Sequence, residues 1–157
     1  MPTTENSDYK ELLSEFNAEG VEYLIVGAHA LALHGYQRYT KDFDLWVNPT
    51  VQNSARVYKA LARFGAPLDR VGVEDFQSDD LIFQIGIEPV RIDVITSIEG
   101  VTWEEAWPDR IAANFGDVPA TYLGLDALLQ NKRSTGRPKD SFDVDELLRI
   151  RNAPPLQ

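Results

Sequence analysis

The strongest constraint in this chain is the run Thr40-Lys41-Asp42-Phe43-Asp44-Leu45-Trp46-Val47. Its acids alternate with apolar residues, the pattern of a strand whose successive side chains point to opposite faces. Asp42 and Asp44 therefore share one face with Trp46, while Phe43, Leu45 and Val47 line the other. Two like charges on one face of an apolar strand are costly unless a cation neutralises them. A third acid has the same setting, in Arg91-Ile92-Asp93-Val94-Ile95. If the two strands are neighbours, three carboxylates converge, and an all-oxygen ligand set of this kind suits one or two magnesium or manganese ions. The plainer alternative leaves the acids solvated at strand ends, or pairs Asp93 with Arg91 or Arg38.

A second feature lies about fifteen residues before the acid pair, at Ile25-Val26-Gly27-Ala28-His29-Ala30. A strand ends in glycine and a helix begins. Free backbone N–H groups and the positive end of the helix dipole then form an anion site fit for a triphosphate, and Gly27 permits close approach to the backbone.

The surrounding pattern reads as one compact α/β unit. Tyr9, Leu12, Leu13 and Phe16 mark a helix capped at Ser7 or Asp8 and stopped by Gly20. Val21 to Val26 reads as a buried strand, Ala28 to Leu33 as a short helix, and Phe43 to Val47 as a second strand. Pro49 opens a helix from Thr50 to Phe64. Leu81 to Ile87 and Val90 to Ile98 form an antiparallel pair around Glu88-Pro89. Residues 103–113 read as broken helical turns around Pro108, and Val118 to Leu123 as a last short strand. Two helices follow, Gly124 to Thr135 and Asp140 to Ile150. The expected fold is α/β (α+β), a mixed β-sheet flanked by helices with a C-terminal helical pair, in a single domain over residues 1–150 and a flexible tail at 151–157.

Composition narrows the chemistry. The 157 residues suit one domain, and 43% hydrophobic content supports a core. Having no cysteine, the chain can form neither a disulfide nor a zinc–thiolate site, and it lacks a thiol nucleophile. Two histidines leave little scope for imidazole metal sites. The start of the chain lacks a basic segment followed by an apolar one, and the apolar run from Tyr23 to Leu33 falls short of the ~20 residues a bilayer span needs. A soluble cytoplasmic protein is expected. A net charge of −10 disfavours broad nucleic-acid binding, although Lys132, Arg133, Arg137 and Lys139 form a basic stretch free of acids.

Val26 to Val47, V-G-A-H-A-L-A-L-H-G-Y-Q-R-Y-T-K-D-F-D-L-W-V, resembles the core motif of the polymerase-β-like nucleotidyltransferase superfamily. It is most similar to the small bacterial branch related to AbiEii-type toxins. That pattern is a glycine followed by glycine or serine, a short helix, D-x-D or D-x-E, and a third acid on a later strand. Gly27, Asp42, Asp44 and Asp93 match it, and the segment from Leu128 to Asp140 resembles the same branch, in which a lysine and a nearby aspartate contribute to the site. Ala28 departs from it, standing where many members carry serine or glycine.

The resemblance implies that Asp42, Asp44 and Asp93 hold Mg2+ (or Mn2+), with Asp93 drawing the proton from an attacking hydroxyl. Two metals would then stabilise the attacking and leaving oxygens as a nucleoside monophosphate leaves its triphosphate and pyrophosphate is expelled. Gly27, Ala28, Arg38, Lys41 and Lys132 are the candidate nucleotide-binding residues. The plainer reading of Arg38 and Lys41 is that they offset the acids, of Lys132 that it is a solvated lysine, and of the basic stretch as a whole that it pairs with Asp140, Asp143, Asp145 and Glu146 just downstream. His29 and His34 read as packing and capping residues, Trp46 as packing with base stacking as the alternative, and Trp103 and Trp107 as packing. The acceptor is open between an RNA or tRNA end, a small hydroxylated molecule such as an aminoglycoside, and a protein side chain. A toxin-type relative also implies a cognate antitoxin. The competing class is a catalytically inactive nucleotide- or partner-binding module, which Ala28 would favour.

Overall fold

The computed structural model describes residues 4–37, 42–87 and 90–154, with side chains from Ser7 onward. Helix α1 (Thr4–Glu19) leads into β1 (Tyr23–Val26), the six-residue α2 (Ala28–Leu33), β2 (Asp42–Val47) and α3 (Val51–Phe64). Then come β3 (Ile82–Ile85), β4 (Arg91–Ile95), α4 (Trp103–Ala106), β5 (Ile111–Phe115), β6 (Val118–Tyr122), α5 (Leu125–Ser134) and α6 (Pro138–Asn152). The six strands form one mixed sheet in the order β3-β4-β2-β1-β6-β5. β2 runs antiparallel to β1 and parallel to β4, and β3 and β4 pair antiparallel as expected.

Strand alternation sends the apolar residues of the sheet to two cores. On one face, Ile25, Phe43, Leu45, Val47, Ile92 and Val94 bury against Tyr9, Leu12, Leu13 and Phe16 of α1 and Val57 and Leu61 of α3. On the other, Leu24, Val26 and Trp46 pack against Leu31, Trp103, Leu128 and Leu147 from the shorter helices and the C-terminal pair. The acids lie on this second face.

Local signals account for most boundaries. Thr50 caps α3 by accepting a hydrogen bond from the Asn53 N–H at 3.1 Å, and Gly65, with φ 95°, ends it in the left-handed region. Pro138 occupies the first turn of α6, where its missing N–H costs nothing.

The structure corrects three expectations. Helix α1 begins at Thr4, so Ser7 and Asp8 lie within it rather than capping it. No glycine or proline separates Thr4 from Asp8, and a formed helix extends until a breaker stops it. Residues 103–113 are only partly helical: α4 and a 3-10 turn at Trp107–Asp109 give way to β5. Its sequence, I-A-A-N-F, carries little β-propensity of its own, and it becomes a strand by hairpin pairing with β6 across Gly116-Asp117. Helix α6 continues through Arg151 and Asn152, past the expected end at 150. No helix among the described residues is long and apolar enough to cross a membrane.

Candidate functional site

The parallel β2–β4 ladder places Asp42 opposite Arg91, Asp44 opposite Asp93, and Trp46 opposite Ile95. Residues paired in register across a ladder point to the same face. The two strands therefore bring together the three predicted acids, each of which offers one carboxylate oxygen within 4.8 Å of those of the other two. They also bring Arg91. Its Nη2 donates to Oδ2 of Asp42 at 2.6 Å and to Oδ2 of Asp93 at 3.3 Å, and its Nε donates to Oδ1 of Asp93 at 3.1 Å. The pairing of Asp93 with Arg91 and the convergence of the acids are both realised.

Asp44 carries the greatest electrostatic load. Burial pushes its carboxyl up to about 7, with Asp93 and then Asp42 adding to the rise, while Arg91 and Lys132 work against it. Burial also raises Asp93, and Arg91 opposes that rise. One buried and two half-buried acids held this close, with carboxylate oxygens as the donors, fit a divalent cation.

Gly27 ends β1 beside this cluster. Its φ of 70° lies in the left-handed region, and a Cβ built there would lie 2.5 Å from Oδ2 of Asp44. The residue is glycine for both reasons: its conformation and the approach of the carboxylate. Ala28 begins α2, whose first internal bonds run from the Ala30 and Leu31 N–H groups to the Gly27 carbonyl, each 3.1 Å.

Lys132 is not a solvated lysine. Its side chain is 12% exposed, and Nζ lies 3.0 Å from Oδ1 of Asp140 and 3.3 Å from Oδ2 of Asp143. Both aspartates are buried and belong to α6, so the pair of contacts ties α5 to α6. Burial would raise the Asp140 carboxyl, but hydrogen bonds from Thr135, Lys132 and Arg137 outweigh it and hold the group at about 2. Arg38 and Lys41 lie outside the described residues.

The aromatic and histidine residues pack as expected. His29 sits edge-on to Phe43 and Tyr9, with ring centroids 5.0 and 5.9 Å away, and burial lowers its pKa. His34 Nε2 contacts the Leu123 carbonyl at 3.0 Å, linking the end of α2 to the chain after β6. Trp46 shares the face of the acids but is 2% exposed and covered edge-to-face by Trp103, so no ring face is free for a base. Sequence reasoning left Arg91 as one of two possible partners for Asp93. It did not foresee that the same guanidinium reaches Asp42, although the i, i+2 spacing of Arg91 and Asp93 on one strand was the available signal.

Among solved structures, the chain is similar to a Thermotoga maritima protein provisionally named a nucleotidyltransferase, with a TM-score of 0.58 at 13% identity, covering 90% of both chains. No protein-family model and no curated protein matches the sequence. The structural likeness, spanning nearly the whole chain, establishes a nucleotidyltransferase-like fold.

Proposed function

We propose that this protein is a metal-dependent nucleotidyltransferase, moving a nucleoside monophosphate from a triphosphate to a hydroxyl acceptor. The observation that carries the reading is the convergence of Asp42, Asp44 and Asp93 on the face of two parallel strands, within 4.8 Å, beside the Gly27 turn. A fold alone carries no activity, because function belongs to the site. A merely structural protein gains nothing from clustering three acids at this electrostatic cost, and a divalent cation removes that cost.

Asp42, Asp44 and Asp93 would hold Mg2+ or Mn2+. When bound, such a cation neutralises phosphate charge and makes a coordinated hydroxyl more acidic. The chain's own groups supply the rest. Asp93, its basicity raised by burial, accepts the proton of the acceptor hydroxyl. Gly27 lacks the Cβ that would displace Oδ2 of Asp44, and so keeps this acid against the turn into α2. Lys132, anchored by Asp140 and Asp143, adds positive potential that already acts on Asp44 and would act equally on a phosphate. Ala28 offers no hydroxyl, so contacts at that position fall to backbone groups. The sequence resemblance extends the reading to the small bacterial AbiEii-related branch.

Label transfer tests the proposal. The protein is incubated with each α-labelled nucleoside triphosphate, Mg2+ or Mn2+, and in turn total RNA, a protein extract or an aminoglycoside panel. Transfer that disappears in Asp44→Ala supports the enzyme and identifies its acceptor class. Triphosphate binding without transfer would favour the inactive binding module. Absence of both would overturn the assignment.

A further inference from the structure

Metal-site residues are usually considered as ligands alone, yet this cluster contains a cation of its own. Asp42 and Arg91 are register partners on neighbouring strands, and Asp93 follows Arg91 by two on the same face. The backbone thus delivers one guanidinium to two carboxylates of the trio. Arg91 engages both oxygens of Asp93 and Oδ2 of Asp42. A divalent ion shared by these acids needs electron pairs on those same carboxylates, and it repels a guanidinium held a few ångströms away. Lys132 is no comparable competitor, since Asp140 and Asp143 hold it. Arg91 has an outward route, its side chain being 26% exposed and that of Asp42 27%.

We propose that Arg91 is a built-in competitor of the divalent cation: it bridges Asp42 and Asp93 in the metal-free protein and must leave them when metal binds, thereby raising the metal concentration the site requires. The inference rests on the metal-site reading above and adds a gate to it. The bridge also keeps the acid cluster from destabilising the metal-free fold, because a bidentate guanidinium offsets the like charge of the carboxylates it joins.

The test is Mn2+ binding to nucleotide-free protein, followed by electron paramagnetic resonance of the free ion and by thermal melting. Arg91→Gln should bind Mn2+ roughly tenfold more tightly than wild type, the scale of one lost charge-assisted pair. It should also melt lower without metal, and Mn2+ should raise its melting temperature by more than it raises that of wild type. Arg91→Lys, which keeps a charge but cannot bridge two carboxylates, should fall between. In wild-type protein the Arg91 Nε resonance, assigned by its loss in Arg91→Gln, should shift on saturation with Mg2+.

Equal or weaker Mn2+ binding by a folded Arg91→Gln overturns the gate while leaving the metal site standing. An Arg91 resonance unmoved by saturating Mg2+ does the same. If neither wild type nor variant binds Mn2+, the gate and the metal-site reading fall together. Binding by the variant alone supports the gate in its strongest form. Should Arg91→Gln not fold, Arg91→Lys and the resonance decide the question.

Discussion

Oδ2 of Asp44 lies so near Gly27 that a Cβ built on the glycine would approach it to 2.5 Å. The end of β1 and the middle of β2 are fitted to each other at the one point where the acid cluster meets the turn into α2. The contact is steric on one side and electrostatic on the other, so it can be probed separately from each.

From the glycine side, Gly27→Ala should cost about 1–3 kcal/mol, from the strained left-handed backbone and the displaced carboxylate. It should also weaken Mn2+ binding, because Asp44 must move. Gly65→Ala is the control. Its φ of 95° is equally unsuited to alanine, but nothing lies within 4 Å of a Cβ there. It should lose about 1 kcal/mol with Mn2+ affinity unchanged. Urea melts and Mn2+ titrations of the two variants give the comparison.

From the acid side, Asp44→Asn removes the most heavily burdened charge of the site. Without metal, and above pH 7, it should stabilise the fold by about 1–3 kcal/mol, through relief of burial and like-charge repulsion. It should also abolish stabilisation by Mg2+ and lower nucleotidyl transfer by at least roughly a hundredfold. Stability gained and activity lost by one substitution is the signature of a functional acid rather than a structural one.

The pH dependence follows with a definite sign. The folded pKa of Asp44, about 7, lies above its unfolded value near 3.9. Between these values the native state binds the extra proton, so the contribution is full below about pH 4 and is lost as the pH rises to about 7. Metal-free wild-type protein should therefore lose stability relative to Asp44→Asn from pH 5 to pH 8. Mn2+ affinity should climb over the same interval as the competing proton leaves. Asp140, held at about 2, acts in the opposite sense, with stability lost only as the pH falls from about 4 to about 2. Urea midpoints at closely spaced pH values, with and without Mn2+, separate the two windows.

Lys132→Met should destabilise by about 3 kcal/mol, since Asp140 and Asp143 then remain buried without their shared cation. Adding Asp143→Asn should recover part of the loss, a coupling that a double-mutant cycle measures. Exposed Arg133, by contrast, should be replaceable by alanine within about 0.5 kcal/mol.

Much of the site is legible in the sequence alone. The shared face of Asp42 and Asp44, the apolar face of Phe43 and Leu45, and the glycine turn at Gly27 follow from strand alternation and from backbone freedom at one residue. These are local properties, settled within a few bonds. Helix α3 was equally readable, opening after Pro49 and ending at Phe64 as expected, whereas α6, expected from Asp140, already begins at Pro138. Strand β5 was not readable, since Ile111 to Phe115 becomes a strand only through its hairpin partner.

What tertiary structure alone decided is the neighbourhood. No local rule states that β4 lies parallel to β2, or that Asp93 stands opposite Asp44 rather than one step along. A one-residue slip would turn Asp93 into the opposite core and break the cluster. The register is held by Ile92 and Val94 burying on the α1–α3 side, a long-range demand of packing. The same demand sets Arg91 across from Asp42 and delivers Lys132 to two aspartates of α6. By itself the sequence determined which side chains are chemically able to form the site and which way each would point on its own strand. Packing decided which strands are neighbours, because burial of apolar surface is a property of the whole chain and charge follows where that burial places it.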